Sequence, residues 1–341
     1  MKKIRTEDAV GQVLCHDITQ IVPGVIKDAR FRKGHVVTEE DIPVLLSLGK
    51  EHLYIWERDE NKYHENEAAE ILCRLCISDH MERSEAKEGK IELKAACDGL
   101  LKINTELLDK INSLGEMMIA SIHPNVPVKK GDKICGTRII PLVIEKEKME
   151  AAEALCGGTP IFSILPYQKK TVGIVTTGSE VYHGRIKDAF GPVLMEKVRE
   201  YGAEIMGQII TDDQPDHIEA AIRGFLDQGA DMVLVSGGMS VDPDDCTPLA
   251  IRNTGARIVT YGAPVLPGAM FLLAYHDGNR PVAGLPGCVM YAKRTIFDLV
   301  LPRLMADDPV TKEEIDKLGR GGLCMSCEVC HYPNCGFGKG W

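Results

Sequence analysis

Three glycine-bearing turns, each placed directly after an apolar run, constrain the fold of this 341-residue chain more than any other feature. The turns comprise residues 176–180, 236–240 and 284–287. A buried strand that ends in such a turn and leads into a helix leaves main-chain N–H groups unpaired, and these groups can bind phosphate. Turns of this kind on neighbouring parallel strands share one crevice at the carboxyl ends of the strands. The pattern therefore predicts an anion-binding crevice.

The arrangement of apolar segments predicts the fold class and four regions. From residue 165 onwards strands alternate with helices at the spacing of βαβ units, which predicts an α/β domain over 165–308 with a mainly parallel sheet flanked by helices. We expect a small β-rich module over 1–60 and an α+β region over 61–164, with helices near 65–80 and 104–119. A cysteine-rich segment, called the tail below, occupies 309–341.

Charge and hydropathy argue against two classes of partner. The chain carries 40 Lys and Arg against 50 Asp and Glu, a formal net charge of -10, so it has no general attraction for nucleic acid or for an anionic membrane. No apolar run approaches the length that spans a bilayer, and the first residues lack the apolar core of a signal peptide. These features predict a cytoplasmic protein.

Four of the twelve cysteines fall in the tail with the spacing C-x2-C-x2-C-x4-C. Four thiols in one short, loop-rich segment predict a Zn²⁺ site or an iron–sulfur cluster, and the spacing leaves both open. A metal would order a segment that has little core of its own. The predicted ligands, for which His331 is a substitute, are Cys324, Cys327, Cys330 and Cys335.

The remaining cysteines carry weaker predictions. Cys73 and Cys76 share a helix face without a second pair nearby, so they are expected in the core. Cys246 and Cys288 fall in the predicted crevice, where a soft thiolate could contact a metal, although small apolar fillers are the favoured interpretation.

Acidic residues gather around the same predicted crevice, which conflicts with an anionic ligand. Like charges would repel a phosphate, and Mg²⁺ bridging carboxylate and phosphate would remove the conflict. Alternatively, the acids hold donor groups of the ligand or exchange protons with it.

Plainer interpretations also exist: the first turn could merely cap a helix, and Asp212 could cap the helix that starts near Pro215.

Residues 165–305 resemble the molybdopterin-binding domain that is shared by molybdenum-cofactor synthesis proteins, including the molybdenum insertases of the gephyrin E-domain class. The resemblance rests on several ordered motifs: Thr-Gly-x-Glu (177–180), Gly184, Asp212-Asp213, Ser-Gly-Gly-x-Ser-Val (236–241), Asp245, Pro267-Gly268 and Gly-Leu-Pro-Gly (284–287).

The resemblance implies a ligand, a reaction and a set of site residues. The turns would hold the terminal phosphate and pterin of molybdopterin, and Mg²⁺ would assist the release of AMP from adenylylated molybdopterin as molybdate is inserted. A client molybdoenzyme and a homodimer are implied as partners. The matching active-site acids are Glu180, Asp212 and Asp245. The implied ligand-binding residues are Thr176, Thr177, Gly178, Ser179, Asp213, Ser236, Gly237, Gly238, Met239, Ser240, Pro267, Gly268, Leu285, Pro286 and Gly287.

Several departures from the insertase pattern make the ligand better supported than the reaction. Asp188-Ala189-Phe190 replaces Asp-Ser-Asn, Ala269-Met270 replaces a Lys-Pro pair, and Cys288 replaces an asparagine. The Asp-Gly-Tyr-Ala stretch has no match, and its nearest region is 25–30. Two alternatives to insertion therefore stay open: a non-catalytic cofactor carrier or assembly factor, and a nucleotide-processing enzyme that uses the same turns.

Overall fold

The computed structural model describes residues 2–22, 26–55 and 59–340. Residues 23–25 and 56–58 of the predicted β-rich module lie outside the described residues, as does the start of the 25–30 region. Through residue 156 the elements are β1 (Lys2–Arg5), β2 (Ile18–Val22), β3 (Ile26–Phe31), α1 (Asp41–Ser47), β4 (His52–Ile55), β5 (Lys62–His64), α2 (Glu65–Cys76), β6 (Met81–Arg83), β7 (Lys90–Ala95), β8 (Gly99–Ile103), α3 (Thr105–Ser113), β9 (Met117–Ser121), β10 (Val126–Val128), β11 (Lys133–Ile139), β12 (Val143–Glu145) and α4 (Lys146–Cys156).

The second half alternates strands and helices. Its elements are β13 (Phe162–Pro166), β14 (Thr171–Thr177), α5 (Ser179–Tyr182), α6 (Phe190–Arg199), β15 (Glu204–Thr211), α7 (Pro215–Asp227), β16 (Met232–Ser236), α8 (Thr247–Asn253), β17 (Arg257–Tyr261), β18 (Leu272–His276), β19 (Arg280–Leu285), α9 (Ile296–Met305) and α10 (Lys312–Lys317).

The chain forms two units, and each is assembled from three stretches of sequence. The first unit consists of Met1–Lys94, Asn104–Ile122 and Lys133–Phe162. The second consists of Ala95–Ile103, His123–Asp132 and Ser163–Trp341. Two short stretches that lie between segments of the first unit therefore group with the second.

The first unit is built from short antiparallel strands. β1 pairs with β4, β2 with β3 and β5 with β12, and a further sheet has the order β6-β7-β11-β9. The predicted helix near 65–80 is present as α2. The predicted helix near 104–119 is too long: α3 ends at Ser113, and Gly115 (φ +73°) and Glu116 (φ +60°) adopt left-handed backbone that cannot continue an α-helix.

The cysteines of α2 are core residues, as expected. Cys73 and Cys76 are buried, and so are Cys135 and Cys156 in the same unit. Burial raises the pKa of the Cys73 and Cys156 thiols, which favours the neutral form of both side chains.

The second unit contains the predicted α/β sheet, and its class is confirmed. Six strands are ordered β15-β14-β16-β19-β18-β17; the first four run parallel, and β18 pairs antiparallel with both β19 and β17. β14 and β16 are buried almost throughout, as expected for strands that are covered on both faces. Separate apolar cores lie on the two sides of this sheet, one including Phe271 and Phe297 and the other Ile222 and Phe225.

The segment 287–305 forms two elements rather than one continuous helix. A short 3₁₀ turn covers Gly287–Met290, and α9 begins only at Ile296. Thr295 starts α9 with a capping box: its hydroxyl accepts from the N–H of Phe297, and Asp298 accepts from the Thr295 N–H.

No helix in the described ranges is both long enough and apolar enough to cross a bilayer.

Candidate ligand-binding site

The three glycine-bearing turns lie side by side at one edge of the six-stranded sheet. Thr176 is in register with Ser236 on the neighbouring parallel strand, and Ser236 is in register with Leu285 on the next. Each turn follows directly from the carboxyl end of its strand. The predicted proximity of the turns is therefore confirmed, and their polar atoms face a common edge.

Close packing between the first two turns accounts for both glycines of the second. A Cβ on Gly237 (φ +93°) would lie 2.2 Å from the main-chain oxygen of Thr177. A Cβ on Gly238 (φ +58°) would lie 2.8 Å from the hydroxyl of Thr247. Contact between the turns is therefore a sufficient reason for the two adjacent glycines.

Thr177 carries an unsatisfied polar atom at the centre of this edge. The residue is 3% exposed, and its hydroxyl has no hydrogen-bond partner among the residues that the structure describes. A buried hydroxyl without a partner costs about 1–3 kcal/mol of stability. Because Gly237 and Gly238 surround this hydroxyl, a ligand that supplied an acceptor oxygen here would recover that cost.

Main-chain donors are available at the second and third turns but are largely used at the first. Gly178 N–H donates to the Thr211 carbonyl, and Ser179 N–H donates to Asp213 Oδ2 at 2.8 Å. The helix after this turn, α5, has only four residues and so offers no helix-dipole site. In contrast, among the described residues no acceptor takes the N–H groups of residues 238–240 or of 287 and 288.

A partly buried chain of polar side chains supports the first two turns. The Gln208 side-chain amide donates to Thr176 Oγ1 at 2.8 Å and to Asp188 Oδ2 at 2.6 Å, and the Ser236 hydroxyl lies 3.4 Å from Thr176 Oγ1. Thr176 and Ser236 are fully buried, so they position the turns and have no exposed face for a ligand. Sequence reasoning missed Gln208, which sits mid-strand without a motif.

Two side chains that do not belong to the three turns also hold the second turn in place. Thr247 donates its hydroxyl to the Gly237 carbonyl at 2.8 Å, and Tyr261 donates to the Met239 carbonyl at 3.0 Å. Met239 itself is buried against Gly284, so its side chain belongs to the core, whereas Ser240 is exposed. Tyr261 stands at the end of an antiparallel strand, and nothing in the sequence pattern indicated its role.

The three predicted acids differ in their surroundings. Glu180 is exposed, and its carboxylate folds back to about the position a Gly178 side chain would occupy. Asp212 is partly desolvated, which opposes ionisation, but hydrogen bonds from His217 and from the Gln214 N–H keep its pKa below the ordinary value. Asp245 Oδ2 accepts from the Asp242 N–H at 3.1 Å within its own loop.

The third turn and the 267–268 segment contribute mostly backbone. Leu285 and Pro286 are buried, and Gly287 is exposed at the start of the 3₁₀ turn. Gly268 (φ +124°) packs so tightly on Ile296 that a Cβ would lie 2.5 Å from its Cγ2 atom. Burial raises the pKa of the neighbouring Cys288, which disfavours the thiolate proposed as a metal contact.

Pro267 lines a different cavity, which it shares with the tail. This cavity has a volume of about 620 Å³, and all four predicted metal-ligand cysteines border it. Across the described ranges, however, no three His, Cys, Asp or Glu side chains are arranged as ligands of one metal ion. The predicted ligands are therefore brought into one neighbourhood without forming a closed single-ion site.

Two groups of curated relatives are similar to parts of this chain. The CinA-like protein of Mycobacterium avium (strain 104) is 44% identical over 93 residues, which are 27% of this chain and 21% of that protein. The molybdopterin molybdenumtransferase of Synechococcus elongatus is 28% identical over 182 residues, which are 50% of this chain and 42% of that protein. The chain thus spans less than half the length of either relative.

Two solved structures also align with it. The molybdopterin biosynthesis enzyme MoaB from Thermus thermophilus is 23% identical, with a TM-score of 0.34, over 40% of this chain and 91% of that one. The CinA protein of Thermoplasma acidophilum is 18% identical, with a TM-score of 0.35, over 40% of this chain and 98% of that one.

Family models match two segments. Residues 3–57 match a domain of unknown function (DUF8806), and residues 173–306 match the probable molybdopterin binding domain. The second match includes all three glycine-bearing turns and the acids Glu180, Asp212 and Asp245. Residues 173–306 of this chain are therefore a member of the molybdopterin-binding domain family.

Proposed function

We propose that the second unit binds molybdopterin, or its metal-loaded form, during molybdenum-cofactor biosynthesis or the maturation of molybdenum or tungsten enzymes. The observation that carries the proposal is the buried, unpartnered hydroxyl of Thr177 beside the unused N–H groups of 238–240 and 287–288. A phosphate group supplies several strong acceptor oxygens, which suit such a set of donors.

The acids at this edge are compatible with a phosphate ligand if Mg²⁺ accompanies it. Mg²⁺ in phosphate sites takes one or two carboxylates and completes its shell with phosphate oxygens and water. Asp212, held ionised by His217, and Asp245 are the side chains that we propose for this role. Bound Mg²⁺ would neutralise charge on the phosphates.

A finer proposal is that the domain inserts metal into adenylylated molybdopterin with loss of AMP. In this scheme Glu180, Asp212 and Asp245 form the acidic part of the active site, and the second and third turns hold the terminal phosphate. Support comes from the matched family and from the similarity to a molybdenumtransferase over half of the chain.

Replacing Thr177 with valine should make the free protein more stable and the complex weaker. Valine fills the same space without the unsatisfied hydroxyl, so the free energy of unfolding should rise by about 1–3 kcal/mol. Molybdopterin, which would lose a donor, should bind at least about tenfold more weakly, since a hydrogen bond to a charged group is worth about 1.5–3 kcal/mol. Denaturant unfolding and a molybdopterin titration measure the two effects.

Thr254→Val is the matched control for that experiment. Thr254 is equally buried, but its hydroxyl donates to the Ile251 carbonyl at 2.7 Å and accepts from the Ala256 N–H. This variant should lose about 1 kcal/mol of stability and leave molybdopterin affinity unchanged. Equal molybdopterin affinity in the wild type and in Thr177→Val, or no binding to either, would contradict the proposed site.

An Asp245→Asn variant separates insertion from mere carriage of the cofactor. Asparagine keeps an oxygen for the Asp242 N–H, so the loop should persist while a charge is lost. If the protein is an insertase, AMP release in the presence of molybdate and Mg²⁺ should fall by about 100-fold with little change in molybdopterin binding. Asp244→Asn, on the same loop and exposed, is the control. No AMP release from the wild type would favour the carrier.

The second candidate function is a nucleotide-processing activity at the same turns. The N–H groups of residues 238–240, 287 and 288 suit the phosphate of a nucleotide as well as that of molybdopterin. A thermal-shift panel of nucleotides and molybdopterin distinguishes the two, because a ligand at a hundred times its dissociation constant adds about 2.7 kcal/mol of stability. A client molybdoenzyme, a homodimer and a cytoplasmic location remain proposals.

A further inference from the structure

The tail is attached to the second unit by contacts that need no metal. Phe337 is buried in the same apolar core as Phe297, and the Tyr332 hydroxyl donates to the Asp298 carbonyl at 2.9 Å. Leu266 donates its N–H to the Gly322 carbonyl and accepts from the Cys324 N–H, both at 2.8 Å. These contacts give the tail a share of the apolar core that its sequence did not predict.

The cysteines of the tail border one cavity. Its volume of about 620 Å³ lies within the range of small-molecule sites, about 300–1,000 Å³, and far exceeds the space for a bare ion. Cys324 and Cys335 are half-buried and pack against the apolar core, whereas Cys327 and Cys330 are exposed. Cys324 and Cys335 thus line the inner wall of the cavity, and Cys327 and Cys330 lie at its exposed rim.

The volume of the cavity, together with the lack of a ready single-ion site among the described residues, favours an iron–sulfur cluster over Zn²⁺. In a tetrahedral Zn²⁺ site each Zn–S bond is about 2.3 Å, so the four sulfurs must lie within about 4 Å of one another. No such set of three or more ligands stands ready in the part of the chain described here. An iron–sulfur cluster is wider than an ion, and its cysteines surround it at larger mutual separations.

The charge of the cavity walls also suits a cluster. A cluster bound by four thiolates carries negative charge, which nearby cations stabilise. The Lys293 ammonium lines the cavity and donates to the neutral Glu328 carbonyl at 2.6 Å rather than to a carboxylate, whereas Arg294, also in the lining, is paired with Glu200 and Asp298. Tyr332, stacked beneath the Arg294 guanidinium at 5.1 Å, adds an apolar wall.

We propose that Cys324, Cys327, Cys330 and Cys335 bind one iron–sulfur cluster in this cavity. Each thiol gives up its proton to solvent and forms one S–Fe bond, and ligation itself transfers no electron. The cluster is supplied preassembled or is built from sulfide with a mixture of ferric and ferrous iron, so that the iron already carries the oxidation state of the cluster. Because the Cys324 N–H is bonded to Leu266, the centre lies next to the 267–268 segment of the matched domain.

Anaerobic reconstitution of the reduced full-length chain with a mixture of ferric and ferrous iron and with sulfide tests this assignment. The expected product is coloured, with broad visible absorption and equal amounts of iron and acid-labile sulfide. The double variant Cys327→Ser/Cys330→Ser should lose the colour and the bound iron. Its melting temperature without metal should match that of the wild type, because both residues are exposed. Cys97→Ser, outside the tail, should reconstitute like the wild type.

Three results would overturn the assignment. They are a colourless protein that takes up one Zn²⁺ or Co²⁺ per chain without sulfide, a chain that binds no metal, and a double variant that retains its iron. Cluster loading is measured without any pterin, so a failure here is distinguishable from a failure of molybdopterin to bind at the glycine-bearing turns.

Discussion

A Gly237→Ala variant is expected to lose molybdopterin binding and about 2–5 kcal/mol of stability. The added Cβ would lie 2.2 Å from the main-chain oxygen of Thr177, so the first two turns must separate. Overpacking of this kind costs about 1–3 kcal/mol, and the φ of +93° adds about 1–2 kcal/mol of backbone strain. Urea unfolding and a molybdopterin titration measure both losses.

Gly229→Ala measures the cost of backbone strain without the steric clash. Gly229 has a similar φ of +87°, but a Cβ there meets nothing within 4 Å. This variant should lose only about 1–2 kcal/mol and bind molybdopterin like the wild type. If both variants lost the same stability and kept the same affinity, contact between the turns would be irrelevant to the site.

The sequence predicted the α/β domain well because the signal there is local. Buried strands such as β14 are continuous apolar runs, and each is followed by an amphipathic helix at βαβ spacing. The positions of the three glycine-bearing turns were predicted correctly because a glycine directly after an apolar strand usually marks a turn. Their proximity followed from parallel order alone, and the register of Thr176, Ser236 and Leu285 confirms it.

Other features depend on pairing between residues far apart in sequence. β8, β10 and β13 form one small sheet, and no local pattern indicates that segments near 100, 127 and 164 join. Likewise, the end of α3 depends on consecutive left-handed residues, one of which is Glu116 rather than glycine. A helical periodicity cannot reveal such an interruption.

The sequence indicated which residues lie at the candidate site but not what each of their side chains does there. Thr176 and Thr177 are adjacent and alike, yet one hydroxyl is held by Gln208 and the other has no partner. The difference arises from strand alternation, which points successive side chains to opposite faces, and from the position of Gly237. Only the three-dimensional structure distinguishes the two threonines, because a Thr-Thr pair precedes many turns.

The buried carboxylate of Asp298 is expected to be one of the most sensitive single positions in the second unit. Its side chain is 1% exposed and lies 2.6 Å from the Lys197 ammonium, which is itself 10% exposed, and 3.0 Å from Arg294. Asp298→Asn removes the charge and leaves a buried ammonium uncompensated, which costs about 3–5 kcal/mol. The Tyr332 hydroxyl is bonded to the Asp298 carbonyl, so limited proteolysis should also cleave the tail faster.

A double-mutant cycle distinguishes loss of the ion pair from general damage to α9. Replacing Lys197 with methionine in the Asp298→Asn background removes the stranded ammonium, so most of the lost stability should return. Asp316→Asn provides a solvent-exposed comparison. The side chains of Asp316 and Lys312 are 55% and 52% exposed, so their ion pair should contribute no more than about 0.5 kcal/mol of stability. If Asp298→Asn cost as little as Asp316→Asn, the buried pair between α6 and α9 would not stabilise the second unit.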